Sequence, residues 1–297
     1  IGRIRSLAQS ADGTICTVYG NIRSHLDVSL INSFGGDGVG LFRTEFLLLE
    51  KKIGKFSIDL QQEEYRVALE KNKGKEMVFR LFDIGGDKAD ISDFKNEVNP
   101  ALGLRGVRFL LANPDILVGQ LTALMKASGC RELKILLPMV SDSSEVLQVN
   151  SVIKEVALGL RSQTGEMLTR ILVGSMLEVP SSVWIREAIL ELVDFVSIGT
   201  NDLIQYFFAI GRESEQDYTF FQPTHPAFLN IIHNIAISAK KMGKPVILCG
   251  EMASNPLYTP LLLGLGIRIF SSSPREIAQI KHVIDKVDIK EATQHAQ

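Results

Sequence analysis

Short apolar, β-branched runs alternate along this chain with longer stretches in which apolar residues recur every three to four positions. The runs predict strands at Ile15–Ile22, Val39–Phe42, Met77–Phe82, Leu133–Met139, Ile171–Leu177, Phe195–Ile198, Pro245–Leu248 and Arg268–Phe270. Between them, Gln62–Lys71, Asp115–Ser128, Ser143–Leu160, Val183–Leu192, Phe228–Met242 and Tyr258–Leu265 carry the mixed periodicity of helices packed on one face. No hairpin signal interrupts the alternation. Eight strand–helix repeats predict an α/β fold, a TIM-type (β/α)8 barrel, with an open doubly wound sheet as the alternative. No linker rich in Gly, Ser or Pro divides the sequence, so residues 1–297 are expected to form a single domain. The least regular stretches, Lys51–Leu60 and Asp87–Gly103, read as long loops of the kind that carry function.

Composition narrows the setting. Hydrophobic residues make up 45% and charged residues 22%, an ordinary globular mixture. A formal net charge of −2 with no basic tail argues against nucleic acid as a partner. Cys16, Cys130 and Cys249 lie far apart, without metal-ligand spacing or a disulfide framework, which suits a reducing compartment. No signal-peptide core or membrane-length apolar run is visible, so a cytoplasmic protein without membrane insertion is expected.

Chemistry gathers around one stretch, Asp194–Arg212, DFVSIGTNDLIQYFFAIGR, which reads as strand, polar turn and helix. Free backbone N–H groups at a helix start favour anions. Asp202 on that turn is a hard oxygen ligand, and an anion beside a carboxylate implies an intervening metal such as Mg²⁺. Asn and Asp also serve as ordinary helix caps, which is the structural alternative. The other unusual polar residues fall at or just past predicted strand ends: Arg43, Asp83, Glu178 and the Cys249–Glu251 segment. Barrel active sites occupy that face. Glu178, set between an apolar strand and Pro180, pairs with Asp202 to give the one or two carboxylates that Mg²⁺ takes from protein, or else it bridges to an arginine. Arg43, Arg80, Arg105 and Arg212 bring four guanidinium groups toward the same mouth. Each could pair internally, Arg43 and Arg80 with Glu45 or Asp83, but together they suit a phosphorylated, carboxylated small molecule. Cys249 is either a buried structural thiol or a proton donor or acceptor facing that mouth. His25, His225, His233, His282 and His295 are scattered without metal-ligand spacing.

The segments GDGVGLFRTEFLLLE, FDIGGDK, NPALGLRGVR, DFVSIGTNDLIQYFFAIGR and ILCGEMASNPLYTPLLLGLG, in this order, resemble the phosphoenolpyruvate-binding barrel of enzyme I of the bacterial phosphotransferase system. The similarity runs from about Gly13 to the Ser271–Ser273 region. Barrels of pyruvate phosphate dikinase and phosphoenolpyruvate synthase are related, but GLFRTEFL with CGEMAS is closer to enzyme I. The resemblance implies that Mg²⁺ is held by Glu178 and Asp202, that Arg43, Arg80 and Arg212 with Asn201 bind the phosphoryl group, and that Arg105 lines the pocket. It further implies that Cys249 protonates the enolpyruvate carbon to give pyruvate.

In that family the phosphoryl acceptor is a histidine in an N-terminal domain, within a loop rich in Gly, Thr and Ser. His25, followed by Leu, Asp and Val, has the wrong context. The resemblance therefore implies that this chain is the substrate-binding half of a larger protein, served by an upstream phosphohistidine domain, a phosphocarrier protein and a homodimeric partner. Val179, Gly211 and Ser254–Asn255 stand where the family often has Thr, Asp and Gly–Asp. Two other readings remain open at this point: a regulatory nitrogen-type paralogue whose barrel binds phosphoenolpyruvate to control dimerisation, and a Mg²⁺-dependent lyase or aldolase acting on pyruvate.

Overall fold

The computed structural model describes residues 7–47, 57–85, 101–164, 170–211 and 222–296. Within them the apolar runs become strands β2 (Ile15–Ile22), β3 (Gly38–Arg43), β4 (Glu76–Arg80), β5 (Leu133–Leu137), β6 (Ile171–Leu177), β7 (Phe195–Gly199), β8 (Val246–Cys249) and β9 (Ile269–Ser272), preceded by a two-residue β1 (Ala8–Gln9) antiparallel to β2. β2 to β9 run parallel, each beside the next, and β9 returns to β2 with Thr17 opposite Ile269 and Gly20 opposite Ser272. The ladder closes on itself, so the fold is the predicted α/β barrel and not the open sheet. The near-continuous apolar runs follow from the parallel arrangement, in which both faces of a strand are covered.

Two buried layers follow from the pleat. Tyr19, Leu41, Val78, Leu136, Met176, Phe195 and Ile247, one from each of β2 to β8, fill the barrel interior together with Cys249. The opposite faces of the strands pack on the surrounding helices. There Phe42, Phe79 and Tyr65 meet with ring centroids 5.4 to 6.0 Å apart, fixing β3 and β4 against α2 (Ile58–Lys71).

The remaining helices, with α1 (Asp27–Ser33) first, are α3 (Val107–Ala112), α4 (Pro114–Ser128), α5 (Ser143–Thr164), α6 (Pro180–Trp184), α7 (Arg186–Leu192), α8 (Thr200–Phe208), α9 (Pro226–Lys241), α10 (Glu251–Ser254), α11 (Thr259–Gly264), α12 (Ile277–Ile284) and α13 (Ile289–Ala296). Start and stop chemistry is visible in several. Ser57 accepts from the Leu60 amide at the head of α2, and α4 runs from Pro114 to a left-handed Gly129.

The structure corrects several boundaries. The strand predicted over Met77–Phe82 stops at Arg80, because the Phe82 amide donates to the side-chain oxygen of Gln120 (3.0 Å) instead of to a neighbouring strand. The strand predicted to Met139 stops at Leu137: Pro138 cannot donate, and Met139 takes φ 56°. Pro245 likewise lies outside β8, which shifts by one residue to end on Cys249. The helix predicted over Val183–Leu192 is two, broken at Ile185. Ile58–Leu60, read as loop, begins α2. Residues 51–56 and 87–100 of the two predicted loops lie outside the described residues.

Candidate active site

β3 and β4 both end on arginine, and the two residues are register partners, so Arg43 and Arg80 stand side by side at the carboxyl end of the barrel. Arg80 is 5% exposed and its Nη2 contacts Glu45 Oε1 and Asp83 Oδ2, the latter at 3.3 Å. Arg105 arrives from the segment before α3. Its Nε and Nη2 fork onto Asp83 Oδ1 and Oδ2 at 2.8 and 2.9 Å, while Nη1 reaches Tyr206 Oη (3.0 Å) and Asp202 Oδ1 (3.2 Å). Burial works against both cations, yet the carboxylates, Glu45 and Asp83 for Arg80 and Asp83 above all for Arg105, hold them above the ordinary guanidinium range. Arg43 is different. Burial, and then the like charge of Arg80, push it down, and its buried Nε has no hydrogen-bond partner among the described residues.

The carboxylates come from the next strands. Glu178, 1% exposed, follows β6 directly, and its Oε1 accepts from the Met139 amide at 2.7 Å. The left-handed turn at Met139 thus aims a backbone donor at Glu178. Gly199 ends β7 beside it. A Cβ at Gly199 would come within 2.6 Å of Glu178 Oε2, so only glycine leaves room for this carboxylate. Asp202 lies in the first turn of α8, whose cap is Gly199 without a side-chain bond, so neither Asn201 nor Asp202 is the ordinary cap considered above.

Burial, then the negative charges of Asp202 and Asp83, push the Glu178 carboxyl up to about 8. A divalent cation would take the place of that proton. Among the described residues no group of three or more His, Cys, Asp or Glu side chains is set to hold a metal. Mg²⁺ does not need one: one or two carboxylates suffice, the remaining positions going to water and ligand oxygens. Glu178 and Asp202 fit that requirement.

Cys249 closes β8 and faces the same space. Its Sγ donates to the Ile198 carbonyl at 3.2 Å and lies 3.4 Å from the Ser197 hydroxyl that donates to it. Burial raises its pKa to about 11, so it is a neutral thiol, a proton donor more than a nucleophile. Asn201 is braced by α10, its Oδ1 accepting from the Glu251 amide (2.8 Å). Gly250, at φ 100°, allows this approach, since a Cβ there would strike the Thr200 hydroxyl and Asn201.

Arg43, Arg80, Arg105, Glu178, Asn201, Asp202 and Cys249 all line one cavity of about 110 Å³. Arg212 lies outside the described residues. Glu45, Asp83, Phe46 and Met176 line the cavity as well; the sequence marks Asp83 both as a polar residue at a strand end and as an internal ion-pair partner, and Glu45 as an ion-pair partner alone. Among the described residues that internal pairing is present for Arg80 and absent for Arg43, and for Arg105 the partners are Asp83 and Asp202. Sequence reasoning missed Tyr206, Ser197 and Gln120, supporting groups on an amphipathic helix, a strand and an outer helix with no local signal. His25, not nominated above, is occupied structurally, with Nδ1 2.8 Å from Glu64 Oε1.

No helix among the described residues is long and apolar enough to cross a membrane. Comparison with known proteins agrees with the geometry. Phosphoenolpyruvate-protein phosphotransferases from Cupriavidus necator, Priestia megaterium and Bacillus subtilis are 37%, 38% and 38% identical to this chain over 93%, 95% and 95% of its length. The chain spans about half the length of these relatives (48%, 50% and 50%). A family described as PEP-utilising enzyme, PEP-binding domain, matches residues 3–289. With seven candidate groups on one cavity rim and this match over nearly its whole length, the chain belongs to the family of PEP-utilising enzymes, as their PEP-binding domain.

Proposed function

We propose that the chain is the substrate-binding half of a phosphoenolpyruvate-protein phosphotransferase: it binds phosphoenolpyruvate with Mg²⁺, and the phosphoryl group passes to a histidine on another domain while pyruvate is released. The observation that carries this reading is the convergence of side chains from the ends of β3, β4, β6, β7 and β8 on a single small cavity. Charge arithmetic supports the metal. The cavity is lined by the three guanidinium groups of Arg43, Arg80 and Arg105 and the four carboxyl groups of Glu45, Asp83, Glu178 and Asp202, so an anionic ester gains no net attraction from them alone.

Glu178 and Asp202 would hold the Mg²⁺ ion, which when bound supplies a Lewis acid toward the enol oxygen. Arg43 offers an unsatisfied buried donor to a phosphoryl oxygen, and Arg80, with its own unsatisfied Nε, offers another. Arg105, Asn201 and Arg212 complete the anion-binding set. As the P–O bond breaks and the phosphoryl group moves to the acceptor imidazole, the electron pair stays on the enol oxygen. The neutral Cys249 thiol then gives its proton to the methylene carbon, yielding the methyl group of pyruvate. The histidine domain, a phosphocarrier protein and a second copy of the chain are the partners that this reading brings with it, and a cytoplasmic setting suits them. The chain as a single 297-residue domain, 1–297, is part of the same proposal.

Calorimetry tests the core of it. Phosphoenolpyruvate is expected to bind only with Mg²⁺, and Glu178→Gln or Asp202→Asn should weaken metal-dependent binding by roughly a hundredfold. Undiminished metal-dependent binding in both variants overturns the assignment.

A further inference from the structure

A second, wider cleft of about 410 Å³ adjoins the cavity, with which it shares Arg43, Asn201 and Gly250. Its own walls come from the end of β2, from α1 and from the segment after β9, and they carry Arg23 and Arg275. Among the described residues neither of these exposed guanidinium groups has a carboxylate within ion-pair distance. Arg23 is nonetheless held: its guanidinium lies 4.5 Å from the centroid of the Phe46 ring, which also lines the inner cavity.

The two acids of the cleft are committed elsewhere. Asp27 Oδ2 accepts from the backbone amides of Arg23 (2.8 Å) and Ser24 (3.3 Å), capping the turn into α1. Glu251 Oε1 accepts from Asn201 Nδ2 at 3.3 Å. The cleft thus sets three guanidinium groups against two engaged carboxylates, whereas the inner cavity sets three against four. The positive excess of the outer cleft is not carried into the inner cavity across Arg43, whose buried Nε lacks an acceptor among the described residues. Two adjoining spaces of different balance suit two different ligand parts: a metal with its chelated anion inside, and a bare anion outside.

We propose that this outer cleft is a second phosphate-binding site, in which Arg23 and Arg275 hold a phosphate dianion, free or carried on another molecule, while the inner cavity keeps its own ligand. Planar guanidinium forks suit the tetrahedral oxygens of phosphate, and the larger cleft leaves room for a carrier group the size of an imidazole. The site goes beyond the proposed phosphotransferase reading, and its test separates the two.

Inorganic phosphate is titrated into the chain by ³¹P NMR, first alone and then with Mg²⁺ and saturating phosphoenolpyruvate. Phosphate is expected to bind in both conditions, and Arg23→Gln and Arg275→Gln should each weaken it roughly tenfold while leaving phosphoenolpyruvate binding unchanged. Arg23→Lys should restore part of the loss. Phosphohistidine in the same titration distinguishes the sources: displacement of phosphate identifies a carried phosphoryl group, and no displacement restricts the site to the free anion. Complete competition between phosphate and phosphoenolpyruvate, or unaltered phosphate binding in both glutamine variants, overturns the proposal. If phosphoenolpyruvate does not bind at all, the phosphotransferase reading fails, and phosphate binding that depends on Arg23 and Arg275 still supports the second site.

Discussion

The two ends of the barrel both bury charge, and they resolve it in opposite ways. At the amino ends of the strands, Asp37 meets Lys281 at 2.6 Å and accepts from the Val18 amide at 2.8 Å, and Glu76 meets Lys134 at 2.6 Å. Both of these acids have a base. At the carboxyl ends, Arg80 and Arg105 divide Glu45, Asp83 and Asp202 between them, Glu178 has no cationic partner within ion-pair distance among the described residues, and Arg43 Nε, Arg80 Nε and Glu45 Oε2 have no hydrogen-bond partner. A fold that can satisfy buried charge at one end, and leaves it uneven at the other, reserves the second for a ligand. Stability and function are thereby separated along the barrel axis.

The largest effect expected on this contrast is at the closed end. Asp37→Asn removes the carboxylate that meets the nearly buried Lys281 ammonium at 2.6 Å, and removing one partner of such a pair costs up to about 3–5 kcal/mol. Urea unfolding should show that loss, with phosphoenolpyruvate affinity unchanged in the folded fraction. Unchanged stability would mean that the two ends do not differ as argued. At the open end, Cys249→Ser is expected to do the reverse. Folding and phosphoenolpyruvate binding should persist within about twofold, while transfer to a supplied histidine domain falls roughly a hundredfold or more, because the proton donor is altered and not the anion site. Normal turnover would remove the thiol from the mechanism.

Titration gives a subtler separation. Glu178 holds its proton to about 8 in the folded protein, against 4.5 as the ordinary value. A carboxyl raised in this way contributes stability that is complete below the unfolded value and is lost as pH rises through the folded one. The metal-free protein should therefore melt at progressively lower temperature between about pH 4.5 and about pH 8, and Glu178→Gln should flatten that slope. Mg²⁺ affinity should rise over the same window, since the ion displaces the proton. A wild-type profile superimposable on that of Glu178→Gln would contradict the burial-driven shift.

Much of this division was legible in the sequence. Alternating runs indicate a parallel α/β sheet because a strand buried on both sides leaves a continuous apolar signature, as in Ile171–Leu177, while closure shows only in the pairing of β9 with β2. Site residues were legible because charge at the end of an apolar run is costly without purpose, which singled out Arg43, Arg80 and Glu178. What escaped was set by distant contacts. Nothing near Phe82 indicates that its amide turns to Gln120, and nothing near Met139 indicates that Glu178 draws it into a left-handed turn. The second basic wall was invisible for the same reason: Arg23 and Arg275 lie at opposite ends of the chain and meet only because β9 pairs with β2.

The smallest effect expected tests how rigidly the open end is held. Tyr206, on the helix that carries Asp202, accepts from Arg105 Nη1 at 3.0 Å and donates to the Ala101 carbonyl, so one hydroxyl joins α8 to the segment that delivers Arg105. Arg105 keeps its two bonds to Asp83 without it. Tyr206→Phe therefore removes one bridge from a braced guanidinium, a loss of about 0.5–1.5 kcal/mol, or roughly two- to tenfold in phosphoenolpyruvate affinity measured by calorimetry. A much larger loss would show that Asp83 and Asp202 together cannot position Arg105 and that α8 and the Ala101–Arg105 segment close on the ligand as a unit. No loss at all would show that the Asp83 fork fixes the cation by itself. The open end would then be as rigid in its cations as the closed end is, and the unevenness of its charge, not any looseness of its geometry, would be what draws in a ligand.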